Sequence, residues 1–449
     1  MERAKLIVKN FGPLKDIDIE VREMVTFIGA QASGKSTLAK LLSIFEDEGF
    51  RRDDTISFEE ELKKYNILSY LKKETFIEYT NYNSQLRSTT PFFLKYSSET
   101  FIKQTPAHLI KMYKEVKDDP LLISNKHGAN EKFKSLIKGS LYYCKFYDKD
   151  FNKNIYNLFP LKEQKEKFKD LFFNGSKEIL NEIHIDEILS ILGKEHVFEN
   201  YLYLYEALVE IFPAIFLYDS IYIPTERNIL QIIQTNILGL INNNIQIPKY
   251  LLNSGQEYEK AINTITELPL RIIDNKIKYR REGQSSFIYH NENEKVNLLE
   301  SASGLQSVIP ILLLVEYSKS LKEEYNFNFV VEEPELNLYP RAQHELIKYL
   351  IKNCLHERKN LILTTHSPFV LASINNLLLA HDKGQNNPKE VNKIIKKESW
   401  LNPKNFIAYE LKNGKAKKIM NDKLGQISEN MIDGVSDAFA NEFDKLLDL

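Results

Sequence analysis

The sequence predicts an α/β fold wound around a phosphate-binding loop, and three apolar strands that end in chemistry-bearing residues predict it. Val25 to Ile28 runs into Gly29-Ala30-Gln31-Ala32-Ser33-Gly34-Lys35-Ser36-Thr37, a G-x-x-x-x-G-K-S pattern, and then into an apolar helix from Leu38 to Phe45. Phe327 to Val331 ends in Glu332 and Glu333, and Leu361 to Thr365 ends in His366. Such apolar runs read as buried strands, and open parallel sheets collect their ligands at the C-terminal edge.

The first of these segments reads as the phosphate loop of a P-loop NTPase, the bland alternative being a chance Gly-rich turn between a strand and a helix. Gly29 and Gly34 permit backbone angles that a side chain forbids, so that successive N–H groups point at phosphates at the positive end of the following helix. Lys35 is placed to reach the β- and γ-phosphates, and the Ser36 hydroxyl to hold Mg²⁺, which makes ATP and Mg²⁺ the expected cofactors. Glu332 is expected near Mg²⁺, and Glu333 to orient or deprotonate the attacking water. The bland alternative for this acidic pair is the end of a strand and the start of a solvated turn. His366, alone among nine histidines in this placement, can hydrogen-bond a γ-phosphate. Ser301-Ala302-Ser303-Gly304-Leu305-Gln306 opens an apolar helix from Val308 to Tyr317, where small hydroxyl residues form either an anion site or a simple N-cap.

Taken in order, the four segments resemble the SMC/RecF-type branch of the ABC ATPases. The C-terminal part resembles the OLD-type ATPases of bacterial anti-phage defence, as in PARIS-, Septu- and Gabija-like systems: Glu332-Glu333-Pro334-Glu335-Leu336-Asn337-Leu338-Tyr339-Pro340 matches E-E-P-E-x-x-L-H-P, with Tyr339 for the usual His. The opening Leu6 to Leu14, with its N-F-G turn at Asn10-Phe11-Gly12, also fits such heads. The resemblance implies Walker A at Gly29 to Ser36 and the ABC signature at Ser301 to Gln306, with Ser303, Gly304 and Gln306 at the nucleotide. It further implies Walker B at Glu332, a catalytic role for Glu333 and Lys35, and the switch histidine at His366. The signature of one subunit would close over the Walker A nucleotide of another, giving an ATP-dependent homodimer or higher oligomer. Three departures stand out. Gln31-Ala32-Ser33 replaces Asn-Gly-Ser or Asn-Gly-Cys, Leu305 replaces a transporter glycine where a partner's nucleotide approaches, and Glu332 replaces Asp.

Composition agrees with a soluble protein: 449 residues, 43% hydrophobic and 27% charged, with a net charge of -2 that gives no global polyanion signal. Two cysteines, Cys144 and Cys354, make no disulfide framework, so a reducing cytoplasm is expected. No apolar signal region opens the chain and no stretch approaches the roughly 18 residues of a membrane helix, so no membrane partner is expected.

The motifs divide the chain into a first lobe at 1–100, a helical insertion at 101–217 and a second lobe at 218–449. Thr75 to Tyr82 and Phe92 to Tyr96 read as strands of the first lobe. From Thr105 to Phe212 helical spacings such as Ile185, Ile188, Leu189 and Leu192 take over, with no heptad seam of a coiled-coil arm. Ser220 to Ile223 reads as a strand that ends in P-T-E-R-N, where Arg227 is expected in a structural salt bridge, the other reading being a nucleotide or partner contact. Arg271 to Tyr289 reads as a hairpin that turns at Glu282-Gly283-Gln284. A second hairpin joins Phe406–Leu411 to Ala416–Met420 through Asn413-Gly414, before an acidic tail helix near Ser436 to Leu447. Asp16-Ile17-Asp18 fits strand alternation and Asp148-Lys149-Asp150 a solvated turn. OLD-type nucleases append a metal-binding Toprim domain, and no D-x-D follows Ser367. By resemblance, the chain is then a sensor or scaffold subunit for an effector nuclease or toxin encoded nearby. The alternative is a RecF-like repair ATPase that binds DNA.

Overall fold

The computed structural model describes residues 4–47, 49–50, 55–81, 93–104, 218–233, 247–321, 326–355 and 359–447, with short pieces at 124–125, 128–129, 163–164, 166–167 and 243. The expected helical insertion, Cys144 and Asp148-Lys149-Asp150 lie almost wholly outside the described residues.

In chain order the fold opens with β1 (Ala4–Phe11), β2 (Leu14–Val21), β3 (Met24–Gly29) and α1 (Lys35–Glu46). A short helix α2 (Phe58–Lys64), with a Ser57–Glu60 capping box, leads to β4 (Phe76–Asn81), β5 (Phe93–Ser97) and β6 (Thr100–Gln104). The second half holds β7 (Tyr218–Ile223), α3 (Lys249–Thr264), a small antiparallel sheet β8 (Glu267–Pro269), β9 (Lys278–Glu282), β10 (Ser285–Tyr289) and β11 (Lys295–Asn297), then α4 (Ser303–Ser320) and β12 (Asn326–Glu332). It closes with α5 (Pro340–Cys354), β13 (Asn360–Thr365), α6 (Pro368–Asn386), α7 (Pro388–Ile394), β14 (Phe406–Lys412), β15 (Lys415–Lys418) and the tail helix α8 (Met431–Leu447).

One 11-stranded sheet runs β6-β5-β4-β1-β2-β15-β14-β3-β13-β12-β7. Its five strands from β14 to β7 are parallel, and β6 to β2 are antiparallel. Alternation sorts the core into two layers. Val25, Phe27, Val330 and Ile362 face α1, whereas Met24, Ile28, Val331 and Leu363 face α4, α5 and α6. The phosphate-loop helix and the helix that begins at Ser303 therefore cover opposite faces of the sheet.

The turn at Asn413-Gly414, with φ of 55° and 79°, closes the β14–β15 hairpin as the sequence predicts. Its Gly414 carbonyl accepts from the N–H groups of Lys15 at 2.8 Å and Asp16 at 3.0 Å, so the hairpin buckles the antiparallel strands to the parallel ones. Asp16 and Asp18 are exposed around buried Ile17, as alternation requires, and Asp18 pairs with Lys5 at 2.9 Å. The hairpin expected from Arg271 is narrower than predicted: it starts at Lys278 and turns at Gly283, and Arg271 lies in the preceding turn. The tail helix begins five residues earlier than predicted, and Phe439 and Phe443 on it are 67% and 62% exposed.

Candidate active site

Register brings the predicted residues to one edge. Ile28 pairs with Thr365, Gly29 with Leu411, Glu332 with Thr364, and Val331 with Ile223, so β3, β13, β12 and β7 all end in one row. The loops that leave this row carry Gly29 to Ser36, His366, Glu333 and the segment from Pro224 to Arg227.

The loop geometry is that of a backbone cradle. A Cβ on Gly29 would stand 2.6 Å from the Leu411 carbonyl oxygen, and Gly34 has φ of 101° with the Leu14 side chain against it. Both glycines are therefore fixed by space as well as by backbone angle. Ala32 holds φ of 59°, a left-handed conformation that a residue with a side chain adopts only at a cost. Gly34 ends the loop with no side chain capping α1, which leaves the first N–H groups of the helix directed outward. Gln31, Ala32 and Ser36 are exposed, and Ser33 Oγ is buried without a hydrogen-bond partner among the described residues. The Lys35 ammonium donates to the Gly29 and Ala30 carbonyls, each at 2.9 Å. Burial lowers its proton affinity, and the nearby Glu333, Glu332 and Glu335 oppose that shift.

Four acidic and basic groups meet this loop. The Glu332 carboxylate is 3% exposed and accepts from the Tyr222 hydroxyl at 2.8 Å, with the Ser36 hydroxyl nearby. Its proton affinity is raised by burial, against the pull of Tyr222, Lys40 and Ser36. Glu333 has φ of 42°, and its carboxylate lies 3.3 Å from His366 Nε2. Glu335 accepts from the Thr365 hydroxyl at 2.7 Å and from the His366 N–H at 2.8 Å, and so fixes where the histidine starts. Burial raises its proton affinity too, and its second oxygen has no partner among the described residues.

Arg227 is wholly buried, and it corrects the expected salt bridge. Its guanidinium donates to four main-chain carbonyls: Ser307 at 2.9 Å, Pro224 at 3.1 Å, Glu332 at 2.8 Å and Glu333 at 2.8 Å. Burial pushes it down to about 10, while Glu335, Glu333, Glu332 and Glu226 hold the positive charge in place.

The segment before α4 folds on itself. Ala302 is the N-cap and gives no side-chain cap, so the simple serine cap is not what the structure has. Gln306 donates back to the Ser301 and Leu299 carbonyls at 2.8 and 3.0 Å, while Ser303 is exposed. Gly304 packs against the Glu333–Leu338 turn, where a Cβ would stand 2.7 Å from the Asn337 carbonyl oxygen. Leu305 corrects a second expectation. It is buried in the sheet core instead of standing at a partner's approach, because two residues along a helix turn it about 200° from Ser303.

The profile of the AAA ATPase domain matches residues 1–371, most of the chain. The chain belongs to that family. It is thus an ATPase whose mixed α/β fold carries a P-loop. No curated protein matches it. Among solved structures, the SMC head domain of Pyrococcus furiosus, bound to the C-terminal domain of ScpA, is 12% identical over 93% of this chain and 96% of that one, with a TM-score of 0.34. The SMC head domain of Thermotoga maritima is 11% identical over 93% and 98%, at 0.33, and the recombination mediator RecF 13% identical over 93% and 99%, at 0.31. Among the described residues of the ATPase, no helix is long and apolar enough to cross a membrane.

Within the ATPase, sequence reasoning missed Tyr222 and Glu335 as groups that support the acidic pair. Glu335 stands two residues beyond Glu333, where the strand has ended and alternation no longer says which way a side chain turns. Tyr222 sits inside an apolar run and reads as core; only the pairing of β7 with β12 sets its hydroxyl against Glu332.

Proposed function

We propose that this ATPase closes as a dimer around ATP and reopens on hydrolysis, each nucleotide contacted by the phosphate loop of one chain and the Ser303 segment of the other. The observation that supports this reading is that α1 and α4 cover opposite faces of the sheet, with Ser303 exposed at the start of α4. An exposed serine at a helix start without a side-chain cap is free to offer donors to a phosphate on another chain.

The residues present fit ATP and Mg²⁺. Glycines hold open the cradle that a Cβ would fill, Ser33 Oγ is a donor within it that has no partner among the described residues, and Lys35 supplies the cation. The Ser36 hydroxyl and the Glu332 carboxylate are hard oxygen ligands of the kind Mg²⁺ takes, and the ion when bound would neutralise phosphate charge. Among the described residues no cluster of three or more His, Cys, Asp or Glu forms a cage, which suits an ion whose other ligands are phosphate oxygens and water.

Glu333 takes a proton from water, and His366, 3.3 Å away, holds the carboxylate and presents its ring to the γ-phosphate. Glu335 keeps that histidine in place through its main-chain N–H. The role we assign to the closed dimer is control of a partner effector, a nuclease or toxin, in bacterial defence against phage; its support is the Glu332-to-Pro340 segment, read by resemblance.

Glu333→Gln tests the core of the reading. It should keep ATP bound, slow turnover by roughly 10²- to 10⁴-fold and hold the protein as a dimer in ATP. Light scattering with and without ATP, alongside turnover, gives the answer. A variant that hydrolyses normally and stays monomeric in ATP sinks it.

A further inference from the structure

We propose that Arg227 is a positioning residue for hydrolysis: it sets the main chain on both sides of Glu333 and ties it to the helix that begins at Ser303. The proposal rests on the reading of Glu333 as the base.

Both peptide groups that flank Glu333 are pinned by this one side chain. The Glu332 carbonyl accepts from Nη1 at 2.8 Å and the Glu333 carbonyl from Nη2 at 2.8 Å. On the other side the Glu333 N–H donates to the Thr364 carbonyl at 3.0 Å, and Pro334, next in the chain, has no N–H to give. Glu333 therefore keeps φ of 42°, a conformation that residues with side chains hold only when their surroundings impose it. That angle aims its carboxylate at His366.

The same guanidinium reaches two further elements. Nε donates to Ser307 in the second turn of α4, and Nη1 also to Pro224 at the end of β7. A displacement of α4, such as docking at Ser303 would cause, is thus passed to the Glu333 backbone through a rigid planar group. Charge alone does not explain the choice of residue. A lysine carries the charge as a point, whereas only the guanidinium fork spans carbonyls in three directions. All four partners are main-chain oxygens, so no change of side chain elsewhere replaces them.

Arg227→Lys and Glu333→Gln, singly and together, test this in the full chain. The Lys variant should fold, bind ATP within about threefold of the wild type and lose roughly 10²-fold in hydrolysis, the scale of a misplacement near 1 Å. Hydrogen exchange, read without nucleotide, should quicken in peptides that cover Glu332 to Leu338 and stay unchanged over Lys35 to Glu46. In the Glu333→Gln background the Lys change should cost no further hydrolysis, because the group it positions is gone. Normal hydrolysis by a folded Lys variant overturns the proposal, as does an equal further loss in the Gln background. If the Lys variant does not fold, Arg227→Gln runs the same comparison with two N–H donors retained; failure of both to fold assigns Arg227 to the core alone and also overturns it. If Glu333→Gln by itself hydrolyses normally, the fault lies in the reading of Glu333. Exchange then decides alone, and unchanged exchange over Glu332 to Leu338 overturns the positioning role.

Discussion

Glu332 shows what a buried acid at a binding edge costs its own fold. Burial raises its proton affinity above the ordinary 4.5, so the folded chain holds that proton more tightly than the unfolded chain. The resulting stability is present below pH 4.5 and is lost as pH rises through the raised folded-state value, after which the cost stays constant. Glu332→Gln keeps an oxygen for the Tyr222 hydroxyl and removes the charge. It should raise the melting temperature at neutral pH by about one degree, on the order of 1 kcal/mol in a chain of 449 residues, and flatten the fall of stability above pH 4.5. Part of the slope should survive, because Glu335 is shifted the same way by burial. Melting curves across pH check this; an unchanged slope would show that Glu332 is not buried as an acid in solution.

At the scale of elements, two glycines hold neighbours together. Gly304 lets α4 lie against the turn after β12, and a methyl there would meet the Asn337 carbonyl oxygen at 2.7 Å. Backbone has to yield, so Gly304→Ala should cost about 1–3 kcal/mol and slow hydrolysis while a single chain binds ATP as before. Nucleotide titration beside turnover separates these outcomes, and a drop in affinity equal to the drop in rate would contradict it. Gly414, at φ of 79°, closes the β14–β15 hairpin over Pro13 and Lys15. Gly414→Ala places a Cβ 2.8 Å from the Pro13 carbonyl oxygen and should cost about 1–3 kcal/mol of stability, read as a lower denaturant midpoint with an unchanged slope. A variant as stable as the wild type would mean that this turn does not brace the sheet.

For the whole molecule, the decisive prediction concerns sites shared between chains. Ser303 is exposed on the face away from α1, so Ser303→Arg should leave single-chain ATP affinity nearly intact and prevent association and hydrolysis in ATP. Lys35→Ala should abolish ATP binding in a folded chain, since it removes the cation seated on the Gly29 and Ala30 carbonyls. Mixed, the two variants should restore at most one composite site per dimer. Turnover of the mixture, with light scattering, measures it. Full activity of Ser303→Arg alone would reduce Ser301 to Gln306 to a helix start.

The sequence by itself determined the phosphate loop, the acidic and histidine ends of β12 and β13, and the Asn413-Gly414 hairpin. Each is encoded within about ten consecutive residues, by strand and helix periodicity and by glycines that backbone geometry demands. Tertiary structure decided the partners. Tyr222 meets Glu332 across 110 positions of chain, and Arg227 meets the Glu332 carbonyl across 105. These contacts follow from which strands lie side by side and in what register, information that local pattern does not hold. Burial direction was decided the same way: Leu305 reads as a signature residue, and the packing of α4 on the sheet turns it into the core. A buried arginine suggests a carboxylate partner, yet the row of strand ends offered carbonyls, which only the assembled sheet could bring within reach.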